Sequence, residues 1–139
     1  MSDLKSILEL ASKGHAESQK IISVSYYFGH SILAKDDIKA FDWAYQAALQ
    51  HEPVAQCMVG LYYQYGTGVD KNATKAYEWY KIAALNGNDQ ACWLLGALYE
   101  KGIGTTKDLE NAIYWYQKAD SQGHKGASCC LQRLRHKYI

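Results

Sequence analysis

The chain has 139 residues, 48% apolar and 21% charged, a composition that gives one domain with a buried core and excludes a disordered segment. Its 15 basic and 14 acidic residues leave a net charge of +1, which argues against bulk nucleic-acid binding and against a polybasic membrane anchor. No apolar run approaches the ~20 residues of a membrane span, and Met1-Ser2-Asp3-Leu4-Lys5 lacks a secretory leader's basic-then-apolar layout, so a cytoplasmic location is expected.

A first helix is expected over about residues 3–13. Its end, Leu10-Ala11-Ser12-Lys13-Gly14, echoes Ala83-Ala84-Leu85-Asn86-Gly87 further on. Three helix pairs follow: 16–28 with 36–50, 53–65 with 72–86, and 89–101 with 108–122. They fall in units of about 14–50, 51–86 and 87–122, and a last helix covers about 125–137. The first helix reads as a second-type helix without its partner and the last as a first-type helix without its partner. Both are therefore expected to be caps on one domain spanning 1–139.

The units repeat at 36 residues. Ala40, Ala76 and Ala112 keep that step, as do Trp43, Trp79 and Trp115, and Ala47, Ala83 and Ala119. So do Ala55, Ala91 and Ala127, with Gly60 and Gly96, Gly66 and Gly102, and Gly68 and Gly104. In the third unit Ala91, Leu95, Leu98 and Tyr99 recur at three and four residues, one face of a helix. Gly102 sits where a helix end takes a left-handed residue, and Asp36, Asn72 and Asp108 are placed to cap the second helices. The first unit is one residue longer through Gly29-His30-Ser31-Ile32-Leu33-Ala34 and lacks the second glycine. Allowing for that insertion, Ser18, Ser23 and Tyr26 take the places of Ala91, Gly96 and Tyr99. Small residues at the crossings let backbones approach, and the periodic tryptophans are expected in the core beside them. Twelve tyrosines against two phenylalanines suit thin stacked layers, where a ring packs inside and its hydroxyl reaches a wet edge. One hairpin alone leaves an apolar face in water, so the units must stack into an all-α, α/α solenoid.

Leu95-Gly96-Ala97-Leu98-Tyr99-Glu100-Lys101-Gly102-Ile103-Gly104 with Ala112, Trp115-Tyr116 and Lys118-Ala119 resembles a Sel1-like repeat. Val59-Gly60-Leu61-Tyr62-Tyr63, Gly66-Thr67-Gly68-Val69-Asp70 and the run Ala76 to Ala84 resemble a second. The resemblance covers about residues 14–127, with a degenerate first unit. It implies a solenoid related to tetratricopeptide repeats, in a largely bacterial family of adaptors and scaffolds. Some secreted relatives carry a disulfide in each repeat and were linked to β-lactams. Cys57, Cys92, Cys129 and Cys130 do not follow that pairing, contain no CxxC, and read as free thiols.

By analogy with tetratricopeptide repeats, first helices line a concave surface that binds a partner. The positions expected there are Glu17, Lys20, Val24, Tyr27 and Phe28 in the first unit and Val54, Cys57, Leu61, Gln64 and Tyr65 in the second. In the third they are Gln90, Trp93, Ala97, Glu100 and Lys101, followed by Cys129, Arg133, His136 and Lys137 of the last helix. Aromatic side chains with arginine nearby make binding hot spots. Tyr27, Phe28, Tyr65 and Trp93 either project into this groove or pack between neighbouring first helices. The basic last helix, with His124, Lys125, Arg133, Arg135, His136 and Lys137, either offsets its dipole as a polar cap or receives an acidic partner.

No catalytic apparatus, metal site or cofactor is expected. Gly66-Thr67-Gly68 and Gly102-Ile103-Gly104 lack the Gly-Lys-Ser/Thr of a phosphate loop, and Cys129-Cys130 with His124 and His136 fits no usual zinc spacing. The expected function is protein binding by an adaptor. A narrower alternative is a bacterial immunity protein that neutralises a toxin. A different class, a hydrolase of a small cell-wall or β-lactam compound, would need a nucleophile such as Cys57 or Cys92.

Overall fold

The computed structural model describes residues 3–138. Among them the chain forms helices and no strand: α1 (Leu4–Ser12), α2 (Ala16–Phe28), α3 (Asp37–Leu49), α4 (Pro53–Tyr65), α5 (Ala73–Leu85), α6 (Asp89–Lys101), α7 (Leu109–Ser121) and α8 (Lys125–Tyr138). Each packs on the next in chain order, the α/α solenoid expected.

The helix ends follow from local chemistry. Asp36, Asn72 and Asp108 accept from the amides of Lys39, Lys75 and Asn111 at 3.1, 3.0 and 3.0 Å. The first-type helices have a cap series of their own, which the sequence reading did not single out. His15, Glu52, Asn88 and His124 accept from the amides of Ser18, Ala55, Ala91 and Ala127 at 3.3, 2.6, 2.8 and 3.2 Å. Each cap satisfies an amide that the first helical turn leaves without a partner. α4 and α6 end on Gly66 and Gly102, both left-handed at φ 69°. Two residues later Gly68 and Gly104 lie on the N-termini of α3 and α5, where a Cβ would strike the carbonyls of Asp37 and Ala73.

Within the second and third repeats the seam is a glycine under a tyrosine ring. A Cβ on Gly60 would meet Tyr80 at 2.5 Å, and one on Gly96 would meet Tyr116 at 2.7 Å. Both rings are buried, each contributing about 2–3 kcal/mol of apolar transfer. This corrects the expectation for the tryptophans. Trp115 is buried, but Trp43 and Trp79 are only half-buried, and Trp79 meets Tyr45 of the preceding repeat edge-on at 5.7 Å. The position one residue later, held by Ala44, Tyr80 and Tyr116, points to the centre of each hairpin.

The first repeat reverses the sizes at the seam. Ala44 replaces the tyrosine and Ser23 replaces the glycine, with the Ser23 hydroxyl donating to the Ala40 carbonyl at 2.6 Å. The Tyr62 hydroxyl, from the next repeat, donates to Ser23 at 3.1 Å. Register after the insertion is set by one backbone contact made three times: Asp36, Asn72 and Asp108 amides donate to Tyr26, Tyr63 and Tyr99 carbonyls, each at 2.9 Å. In the longer loop, Leu33 packs with Ile22 and Ala11 against Leu4, Ile7 and Leu8 of the nine-residue α1.

A polar ladder crosses the repeat boundaries. Gln19 Nε2 donates to the Ala11 carbonyl at 3.2 Å and Gln56 Nε2 to the Ala48 carbonyl at 3.3 Å. Gln50 and Asn86 then donate to Gln19 and Gln56 at 2.8 and 2.9 Å. At the third boundary Cys92 holds the place, its thiol 3.9 Å from the Ala84 carbonyl, and Gln122 turns to the Gly87 carbonyl at 3.4 Å. The buried amides of the first two rungs are thus satisfied, which makes burial of glutamine affordable.

Candidate partner-binding wall

The first helices α2, α4, α6 and α8 stand side by side, and the same register recurs along them. Val24, Leu61, Ala97 and Arg133 are one row; Tyr27, Gln64, Glu100 and His136 are the next; Phe28, Tyr65, Lys101 and Lys137 are the third. These rows contain most of the residues expected to meet a partner, and the structure divides them into three groups.

The first group encloses a cavity of about 330 Å³ between α2 and α4. Its lining is Val24, Tyr27 and Phe28 from α2, Met58, Leu61, Tyr62 and Tyr65 from α4, and Thr67 from the loop beyond. Phe28 and Tyr65 are 74% and 68% exposed, so their rings are walls rather than core. Tyr27 is the hinge between the two roles. It stands edge-on to Phe28 at 4.9 Å, stacks on the buried Tyr62 at 6.0 Å, and has Lys35 Nζ over its ring at 4.8 Å. Met58, Tyr62 and Thr67 were not among the expected groove residues. The signal that could have found Met58 and Tyr62 is the i, i+3, i+4 stripe they make with Leu61 and Tyr65.

The second group is tied into the protein itself. Arg133 grips Glu100 with both guanidinium nitrogens at 2.7 Å, joining α8 to α6. The Tyr116 hydroxyl donates to the same carboxylate at 2.8 Å. Arg133 thereby holds the Glu100 carboxyl below the usual carboxylate range, with help from Tyr116 and against some burial. One repeat earlier, the Tyr80 hydroxyl donates to Gln64 at 2.6 Å, so Gln64 is the uncharged counterpart of Glu100. Lys20 lies 3.0 Å from Glu17 and 3.8 Å from the capping Glu52. Trp93 stacks on the His124 ring at 5.0 Å, and a Cβ on Gly126 would approach its indole to 3.2 Å. His124 accepts from Ala127 through Nδ1, so its Nε2–H donates to Gln90 at 2.8 Å. Trp93 is therefore packed at the start of α8, well apart from the cavity, and its buried indole nitrogen has no partner among the described residues.

The third group is exposed, with the Lys137 ammonium over the Tyr138 ring at 5.3 Å. Lys101 and Lys137 enter no ion pair among the described residues. Cys57 departs from its expected place on the wall: it is buried, and burial pushes its thiol up to about 12. Cys92 is buried and raised for the same reason. Burial thus disfavours the reactive thiolate form of both. No described helix is long and apolar enough to cross a membrane.

Paired helices stacked in register, with a first-helix wall and small-residue seams, define an α/α solenoid of the tetratricopeptide-like class. The Sel1 repeat matches residues 16–51, 53–88 and 89–124, and the chain belongs to that family. Among solved structures, a Sel1 repeat protein from Oxalobacter formigenes is 38% identical with a TM-score of 0.85, covering 96% of this chain and 99% of that one. The protective antigen c5321 of uropathogenic Escherichia coli is 33% identical with a TM-score of 0.87; the match covers 91% of this chain and 27% of that longer one. Cysteine rich protein B of Helicobacter pylori shares the fold at 23% identity and a TM-score of 0.75, with 92% and 94% covered. No curated protein matches the chain. Repeats of this family generally mediate protein–protein interaction.

Proposed function

We propose that this chain is a non-catalytic adaptor that holds a partner protein on the wall of first helices, with the α2–α4 cavity as the anchor point. The observation that carries this reading is the pair of exposed rings, Phe28 and Tyr65, bordering an apolar cavity of about 330 Å³. A soluble fold gains nothing from holding such rings in water, whereas a bulky side chain entering between them removes their faces and its own from solvent. Leu61 and Tyr27 supply the floor, and Gln64, Glu100 and Arg133 fix the wall's shape rather than reach for the partner. A narrower form, in which the partner is a toxin that this wall occludes, uses the same contacts.

The test is site-specific photo-crosslinking in host cells. A photoreactive residue at the exposed Val24, which lines the same cavity, is expected to capture a partner, and the same residue at the exposed Glu78 on α5 is not. Phe28→Ala with Tyr65→Ala is expected to abolish that capture while the helical signal and melting temperature stay near wild type. A crosslink at Glu78 that survives the double substitution would place binding elsewhere.

A further inference from the structure

The wall changes character along its length. α4 carries no charged residue, and the Glu17–Lys20 pair of α2 neutralises itself at 3.0 Å. α6 carries Asp89, Glu100 and Lys101. α8 carries Lys125, Arg133, Arg135, His136 and Lys137 and no acid. The acid best placed to offset α8, Glu100, is already consumed by both nitrogens of Arg133. In the row that begins with Phe28 and Tyr65, the next two places are the cations Lys101 and Lys137, neither facing a carboxylate in an ion pair among the described residues, Lys137 lying over the Tyr138 ring. The row therefore runs aromatic, aromatic, cation, cation.

We propose that the occupant of this wall is an extended acidic segment of a partner protein, with one bulky apolar residue seated between Phe28 and Tyr65 and carboxylates opposite Lys101 and Lys137. This rests on the adaptor reading above and adds polarity and register to it. Charge complementarity is the argument: an apolar anchor fits the neutral α2–α4 end, and only a negative chain meets the α6–α8 end without leaving two cations unanswered. Taking neighbouring first helices at roughly the 10 Å of packed helices, an anchor midway between α2 and α4 lies about 15 Å from α6 and about 25 Å from α8. An extended chain advances about 3.3 Å per residue, so the acids fall about four to five and about seven to eight residues from the anchor, on one side of it.

The experiment uses the purified full chain and an array of short synthetic peptides. Each peptide holds one Phe in a Gly/Ser background, with Asp, Asn or Lys placed singly at every other position. Asp is expected to be preferred over Asn about four to five and about seven to eight residues to one side of Phe. Each rim contact is worth roughly threefold in affinity at low salt and less as salt rises. Lys101→Glu with Lys137→Glu is expected to turn the preference toward Lys at the same positions. Lys101→Gln with Lys137→Gln is expected to remove it; both pairs are at exposed sites, and a thermal melt checks folding. Binding that needs the Phe and Tyr65 but treats Asp, Asn and Lys alike would overturn the proposal and leave the adaptor reading intact. Binding that needs neither, or no binding by any peptide, would overturn both.

Discussion

The first repeat and the two that follow solve one packing problem in opposite ways. In the second and third, the first helix gives up its side chain and the second helix fills the space with a ring, Gly60 under Tyr80 and Gly96 under Tyr116. In the first, Ser23 keeps a side chain and Ala44 gives up the ring, while the Tyr62 hydroxyl reaches back from the next repeat to close the polar account. The lesson is that the two seam positions are set as a pair: with no ring at Ala44, the first helix has room for the Ser23 side chain and its hydrogen bonds. A position read alone looks degenerate when its partner has changed with it.

That comparison can be broken directly. Gly60→Ser places a side chain where Tyr80 already sits and is expected to cost about 2–3 kcal/mol in urea or thermal unfolding. Gly60→Ser with Tyr80→Ala copies the first repeat into the second. It is expected to cost less than the two single changes summed, by about 1–2 kcal/mol. Strict additivity would show that glycine and ring do not share one space.

The ladder gives the next largest effect. Gln56→Ala removes the donor to Ala48 and strands Asn86, and is expected to lower stability by about 2 kcal/mol. Cys92→Ala, at the rung that has no amide, is expected to cost about half as much.

The tie at the wall sharpens the contrast between repeats by pH. Its row holds Tyr27 in the first repeat, Gln64 in the second and the carboxylic acid Glu100 in the third. The folded-state pKa of Glu100 is depressed from 4.5, so its contribution is complete above that value and is lost as pH falls through the lower, folded value. Arg133→Gln is expected to remove about 1 kcal/mol at neutral pH, a modest figure because the guanidinium is half exposed. It should also flatten the acid limb of stability below about pH 5. An unchanged acid limb would show the pair to be stabilising nothing. The smallest expected effect is a gain: Cys92→Gln extends the ladder to the third boundary and should add about 0.5–1 kcal/mol, read as a rise in melting temperature. Loss of stability there would mean that the third boundary has closed around the smaller thiol.

The sequence made the helices, the second-helix caps and the glycine turns legible, because each depends on residues within a few positions of itself. Asp36, Asn72, Asp108 and Gly102 all act locally. The 36-residue step also located the seams and the buried Trp115, but it pointed to Trp43 and Trp79 as core where they are only half-buried and the residue after each is fully buried. Periodicity marks which positions are constrained and does not say which face they turn. Cys57 shows the same limit: on the helix it belongs to the wall's row, yet the neighbouring repeat covers it. The Glu100–Arg133 clasp and the Trp93–His124 stack join residues 33 and 31 positions apart in the chain. Only stacking brings them together, so spacing alone offered both pairs as independent contacts for a partner. The glutamine ladder was present in the sequence as Gln19 and Gln56, 37 residues apart, but polar residues on a buried face look like surface until their acceptors are known.

Among the described residues the closest backbone packing runs from each helix to its neighbour in the chain. α2 and α4 meet through side chains instead, the Tyr62 hydroxyl on Ser23 and the Tyr62 ring beside Tyr27. A guest seated between them would press on two mostly exposed rings, Phe28 and Tyr65. At the α6–α8 end the Glu100–Arg133 clasp lies on the wall itself, so the same guest would adjust its girth at one end and meet a fixed outline at the other.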